Sequence, residues 1–179
     1  MALPDLQLRS LVETDLLAYK ALRDRMLADF PESFTSDAET ERSRDLASYR
    51  SRLSGGAAGG TLFTVVALDR RAGGRLVGAL TAEREARQKV QHTAHLVGMM
   101  VAPDCQGRGI GRALLSETVA RLRTEPGISL VTLSVTADNL PAVRVYERCG
   151  FERYGCLRGA IRLPDGRELD KALMSLRLT

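Results

Sequence analysis

The segment Gln106-Gly-Arg-Gly-Ile-Gly-Arg112 sets three glycines and two arginines directly before a helical pattern. The first turn of a helix has free N–H groups and partial positive charge, so it suits a phosphate. Glycine lets the backbone come close, where a Cβ would clash, and Arg108 and Arg112 add charge alongside. A plain turn before a helix is the bland alternative. Three phosphate-loop grammars compete. The pattern G-x-x-x-x-G-K-[ST] fails, because no Lys-Ser/Thr pair follows. A dinucleotide loop, G-x-G-x-x-G from Gly107, meets Arg at 112, and the strand after the helix ends without an acid for a ribose. The pattern Q/R-x-x-G-x-G/A is filled by Gln106, Gly109 and Gly111.

The elements that must position this loop follow from periodicity. Leu6–Leu11 reads as a strand. A helix starts near Glu13 or Thr14 and ends before Pro31, with Leu16, Leu17, Ala21, Leu22, Arg25 and Met26 on its inward face. A second helix is expected over Asp37–Leu53, followed by a break at Gly55–Gly60. Thr61–Asp69 and Arg75–Arg84 form a hairpin, and Ala94–Val101 is an apolar central strand. Ile110–Thr124 is amphipathic, with Leu114, Leu115, Thr118, Val119 and Leu122 inward. Leu130–Thr136 is a further strand, and Asp138-Asn-Leu-Pro141 starts a helix that stops at Cys149-Gly150. Phe151–Leu163 and Glu168–Leu178 close the chain around the turn Leu163-Pro-Asp-Gly166. The order gives an α+β fold: one domain over residues 1–179, with a mixed, mostly antiparallel sheet flanked by helices.

Composition narrows the partners. The 179 residues are 44% hydrophobic and 27% charged, which fits a globular domain. The net charge is +4, but the basic residues are scattered, Trp is absent and aromatics are 4%, so nucleic-acid binding is not expected. Three cysteines (Cys105, Cys149, Cys156) and two histidines give neither a disulfide framework nor a metal site. No secretory signal and no membrane-length apolar run is present, so a cytoplasmic protein is expected.

With the loop preceded by Met99-Met-Val-Ala-Pro-Asp104, and followed by Leu133-Ser-Val-Thr-Ala-Asp-Asn139 and Tyr146-Glu-Arg-Cys-Gly-Phe151, the sequence resembles the GNAT acetyltransferase superfamily. The likeness is clear over Ala94–Phe151. It implies a sheet whose two central strands splay apart, acetyl-CoA as acyl donor, and a primary amine as acceptor. It implies that Gln106, Gly107, Arg108, Gly109, Ile110, Gly111 and Arg112 bind the coenzyme diphosphate. Met99, Met100 and Val101 would pair through their backbone with the pantetheine arm, and Asn139 would hydrogen-bond that arm. Tyr146 would lie near the coenzyme sulfur. A phenol can give a proton to a departing thiolate, although packing beside Gly150 would also explain this tyrosine.

The attacking amine must lose a proton. Some family members carry Glu where this chain has Ser134. Glu83, Glu85 and His95 are the remaining candidate bases, and a water relay is an alternative; His95 has the most suitable intrinsic pKa. The segment Asp29–Glu41 holds five acids and no base. The resemblance sets it near the acceptor site, where it would attract a cationic amine or else form a solvated face. No cysteine has a partner for nucleophilic catalysis, so direct attack in a ternary complex is expected. Two other classes remain: a non-catalytic acyl-CoA-binding module and a dinucleotide-binding protein. The last strands offer an edge through which a homodimer could form.

Overall fold

The Val-, Leu- and Thr-rich runs become the strands of a seven-stranded sheet in the order β1-β2-β3-β4-β5-β7-β6. The computed structural model describes residues 5–54 and 60–178. The glycine-rich break lies, except for Gly60, outside them. The strands are β1 (Leu6–Ser10), β2 (Thr61–Asp69), β3 (Arg75–Arg84), β4 (Thr93–Val101), β5 (Leu130–Thr136), β6 (Glu152–Arg162) and β7 (Glu168–Arg177). The helices are α1 (Leu16–Asp29), α2 (Ala38–Ser43), α3 (Ile110–Thr124) and α4 (Leu140–Arg148). Every strand pairing is antiparallel except β4 with β5. None of the described helices is long and apolar enough to cross a membrane.

Strand alternation sends successive side chains to opposite faces. Gly78 on β3 faces α3: a Cβ there would lie 2.9 Å from Leu114 Cδ1 and 3.0 Å from the Met100 carbonyl oxygen. Only glycine lets α3 settle this closely. Ile110, Leu114, Leu115, Val119 and Leu122 are buried beneath it, each side chain contributing roughly 2 kcal/mol. Odd-numbered β3 residues face the other way. Thr81 shares a hydroxyl contact with Thr64, whose Oγ1 donates to the carbonyl of Arg52, 2.8 Å away. Arg52 ends a 3-10 segment, Leu46–Arg52, that packs with α1. The sheet therefore lies between α3 and α1.

Two expectations are corrected. Helix α1 turns Leu16, Tyr19, Leu22, Arg23, Met26 and Leu27 inward, whereas Leu17, Ala21 and Arg25 are exposed. The inward arginine is accommodated by a carboxylate: Arg23 Nε donates to Glu41 Oε1 at 2.6 Å, and Tyr49 Oη donates to the same oxygen at 2.7 Å. The expected helix over Asp37–Leu53 is interrupted. Arg44 and Asp45 are extended, with ψ of 136° and 141°. Asp45 accepts from Ala47 N–H and starts the 3-10 segment instead.

The Glu41 carboxylate is almost fully buried. Desolvation pushes its pKa up, but hydrogen bonds from Arg23 and Tyr49 outweigh this and hold it below the ordinary value. Removing one member of a buried pair leaves the other charge uncompensated. Glu41→Ala should lower stability by about 3 kcal/mol and the melting temperature by about 6–12 °C, as read by thermal unfolding. A depressed folded pKa stabilises above the unfolded carboxyl's value of 4.5, and the gain is lost as pH falls through the folded value. Melting temperature should therefore fall more steeply below pH 4.5 in the parent than in Glu41→Gln.

Candidate active site

Strands β4 and β5 pair in parallel only from Thr93–Leu96 to Leu130–Leu133. Beyond that seam β4 continues to Val101 on β3, and β5 continues to Thr136 on β7, with no register between them. The result is a V whose facing edges carry backbone groups without strand partners. Gly98 sits in the wall of the V at φ +64°, where the β3–β4 register slips by one residue. This is a β-bulge at a position that favours glycine.

The glycine loop lies at the open end of β4. A 3-10 turn, Pro103–Cys105, leads into Gly107 at φ +75° and Gly109 at φ +81°. Gly109 is the N-cap of α3 and has no side chain to satisfy the helix amides. The first amide committed to the helix is Ala113 N–H, on the Gly109 carbonyl. Among the described residues, the amides of Gly107, Arg108, Gly109, Ile110, Gly111 and Arg112 have no hydrogen-bond acceptor. The loop is held from behind. Arg75 bonds Asp104 and reaches Cys105 Sγ at 3.2 Å, and Gln106 Nε2 donates to the Val101 carbonyl at 3.2 Å. Arg108 leans towards Asp69, 3.6 Å away. Gly111 faces Met99 and Val101; a Cβ there would lie 3.7 Å from each side chain. Met100 is buried. The exposed Arg112 lines a cavity of about 260 Å³ between α3 and α4, together with Arg123, Arg148 and Cys149.

Asn139 caps α4. Its Oδ1 accepts from Ala142 N–H at 3.2 Å, and its Nδ2 donates to Ser33 Oγ at 3.2 Å. The side chain expected to hold a ligand is thus also a structural cap, with one donor and one acceptor position left. Tyr146 is 6% exposed, and its ring meets Phe151 edge-on at 6.0 Å. Burial alone pushes the phenol well above its ordinary pKa.

The candidate bases differ in environment. Glu83 and His95 are register partners on the α1 face of the sheet. The Glu83 carboxylate is taken by Arg52 Nη1 at 2.6 Å. His95 joins two groups: Nδ1 lies 2.5 Å from Thr132 Oγ1, and Nε2 lies 3.3 Å from Glu85 Oε1. Arg87 and then His95 hold the Glu85 carboxyl below its ordinary range. His95 and Thr132 are the third of the seam's four register pairs, so this contact lies just below the point where the V opens. Ser134 is exposed, two residues on from Thr132 on the same face. Thr132 was not legible as a site residue; only register reveals it. Gly98 had a signal, a lone glycine inside an apolar strand.

Four of the five acids in the acidic segment are engaged, and Glu39 is exposed without a partner among the described residues. Glu41 pairs with Arg23, Glu32 with Arg167 at 2.8 Å and Asp29 with Arg25 at 3.4 Å, while Asp37 caps α2 through Thr40 N–H. Cys105 is buried, Cys149 half-buried and Cys156 exposed.

The chain has relatives among known proteins. The acetyltransferase (GNAT) family model matches residues 19–151, and the chain belongs to that family. The ribosomal protein bS18-alanine N-acetyltransferase of Escherichia coli is 36% identical over 92 residues, which is 51% of this chain and 61% of that protein. N-alpha-acetyltransferase RimI of Mycobacterium tuberculosis is 38% identical over 94 residues, 52% of this chain and 56% of that one. The match thus spans less than two thirds of these relatives. A GCN5-related N-acetyltransferase from Kribbella flavida superposes with a TM-score of 0.83 at 23% identity, over 99% of this chain and 100% of that one. A phosphinothricin acetyltransferase from Sinorhizobium meliloti, in complex with AcCoA, gives 0.81 at 24% identity, over 97% and 89%. These two likenesses carry the fold.

The Asn139 cap yields a direct test. Asn139→Ala should cost about 1 kcal/mol and lower the melting temperature by about 2–4 °C. Asn139→Asp, which keeps the capping oxygen, should retain most of that stability in the same thermal melt.

Proposed function

We propose that this chain, acting as one domain, transfers an acetyl group from acetyl-CoA to a primary amine by direct attack in a ternary complex. The observation that carries the reading is the V between β4 and β5, which opens beside six loop amides that have no acceptor among the described residues. The names of the relatives point the same way: N-acetyltransferases of a ribosomal protein's alanine and of N-alpha amines, and a neighbour complexed with AcCoA.

In this reading the coenzyme diphosphate accepts hydrogen bonds from the amides of residues 107–112, favoured by the α3 dipole. Gln106 braces the loop through Val101. Arg112, Arg123 and Arg148 supply positive charge towards the outer phosphates. The pantetheine amides pair with the free edge of β4 at Met99, Met100 and Val101, with Asn139 offering its remaining donor. The thioester then lies in the V, where water is displaced and backbone N–H groups stabilise developing negative charge on its oxygen.

The amine nitrogen attacks the carbonyl carbon, the C–S bond breaks, and the sulfur leaves with the bonding pair. Tyr146 gives its proton to that sulfur. A phenol kept protonated by burial is present as the donor at neutral pH. His95 receives the proton from the amine, relayed by the Thr132 hydroxyl on its Nδ1 and by water beside Ser134. Glu85 beside Nε2 stabilises the imidazolium that results. Glu83, neutralised by Arg52, is the weaker candidate base.

Calorimetry with acetyl-CoA should give saturable binding, and Gly109→Val should weaken it by at least about tenfold in a folded protein. Absence of saturation at millimolar coenzyme overturns the reading. In a thiol-release assay with a broad amine panel, His95→Gln should lower kcat by about a hundredfold and remove the rise of rate with pH that reports the base. Tyr146→Phe should lower kcat with little effect on coenzyme affinity. Saturable binding with no turnover of any amine would favour the non-catalytic acyl-CoA module.

A further inference from the structure

The α1 face of the V is bridged by a strap, residues 32–36, stitched on both sides of the opening. Thr136 Oγ1 on β5 donates to the Glu32 carbonyl at 2.7 Å, and Asn139 Nδ2 reaches Ser33. Lys171 Nζ on β7 donates to Thr35 Oγ1 at 2.6 Å. Arg23 Nη2 on α1 donates to Ser36 Oγ at 3.0 Å. Two cations from opposite walls are thus anchored on adjacent strap residues. Lys171 is the register partner of Thr136, so it sits where β5 has already parted from β4.

Four of the five carboxylates of the strap and its flanks are engaged: Glu32 by Arg167, Glu41 by Arg23, Asp37 as a helix cap, and Asp29 by Arg25, while Glu39 is exposed on α2. The neighbouring Asp170 carboxylate turns to Gly159 N–H at 2.9 Å. Lys171 is half-buried, and among the described residues its ammonium has no carboxylate within ion-pair distance. Burial pushes its pKa down. Arg23 is 6% exposed. Its Nε and Nη2 serve Glu41 and Ser36, which leaves Nη1 without a hydrogen-bond partner among the described residues. That nitrogen lies 3.8 Å from where a Cβ on Gly98 would stand, at the bulge in the wall of the V.

A half-buried ammonium without an acid, and a guanidinium nitrogen with an idle donor at the wall of the V, can each still give a hydrogen bond to a ligand. A ligand oxygen with negative charge completes both, through charge-assisted hydrogen bonds. We infer that the acceptor cleft recognises a carboxylate, held by Lys171 and by Arg23 Nη1, and that the acceptor is a small amino acid whose amine is acetylated. The inference rests on the acetyl-transfer reading and names its substrate class. A polyamine or aminoglycoside would bring like charge to Lys171. A peptide N-terminus offers only a neutral carbonyl at that distance from its amine.

The test uses the full chain, acetyl-CoA and matched acceptors: each standard amino acid and β-alanine, the corresponding amides and decarboxylated amines, and short peptides with amidated C-termini. Thiol release should favour at least one amino acid over its amide and amine by about tenfold or more in kcat/KM. Lys171→Met should collapse that ratio towards one, mainly by raising KM for the amino acid, and Lys171→Arg should restore part of it. Acetyl-CoA calorimetry on each variant reports that it is folded. Amides, amines or peptides turned over as well as amino acids would overturn the inference. So would a preference that survives Lys171→Met, or an enzyme that binds acetyl-CoA and acetylates no amino acid. Loss of acetyl-CoA binding in the parent chain would instead overturn the underlying reading.

Discussion

Two parallel strands that share four register pairs and then diverge leave backbone donors and acceptors facing an empty space. That is the constraint on which the site depends. A sheet normally satisfies these groups with the next strand. Here β3 and β7 hold the two arms apart from outside, so the opening does not collapse. An extended ligand with amides of its own is chemically suited to the missing place. The glycine loop then needs only to lie at the mouth, and the Gly78 approach brings α3 there.

The two faces of the opening differ in how their charges are managed. On the α3 side, arginines line a groove beside uncommitted amides, an arrangement that favours phosphates. On the α1 side, nearly every carboxylate already has a partner. The buried Arg23–Glu41–Tyr49 group is the clearest case, because it fixes α1, α2 and the 3-10 segment by three polar contacts rather than by apolar packing alone. Of the five acids in the segment Asp29–Glu41, three are therefore neutralised by arginines, and Asp37 and Glu39 alone keep an unpaired charge at the surface.

What the sequence discloses depends on how local the cause is. Helix α3 and strands β2, β3 and β5 match the expected ranges because their periodicity is unbroken and their ends carry turn residues. The inward face of α1 is not legible from periodicity, because an arginine there is explained only by Glu41, 18 positions later. The split of the expected second helix had a local signal in Asp45, a cap residue inside a helical pattern. The glycine turn and the start of α3 at Ile110 were legible as local structure. The environment of His95 was not, since Thr132 is 37 positions away. Lys171 gave no signal at all, for its hydroxyl partner is 136 positions distant.

The short seam also makes the molecule two half-sheets, β1 to β4 and β5 to β7, joined at a narrow waist. Whatever bridges the arms serves as a removable brace, and its binding free energy is added to that of folding. Heat resistance of this chain would then rise with the concentration of any molecule that spanned the two arms.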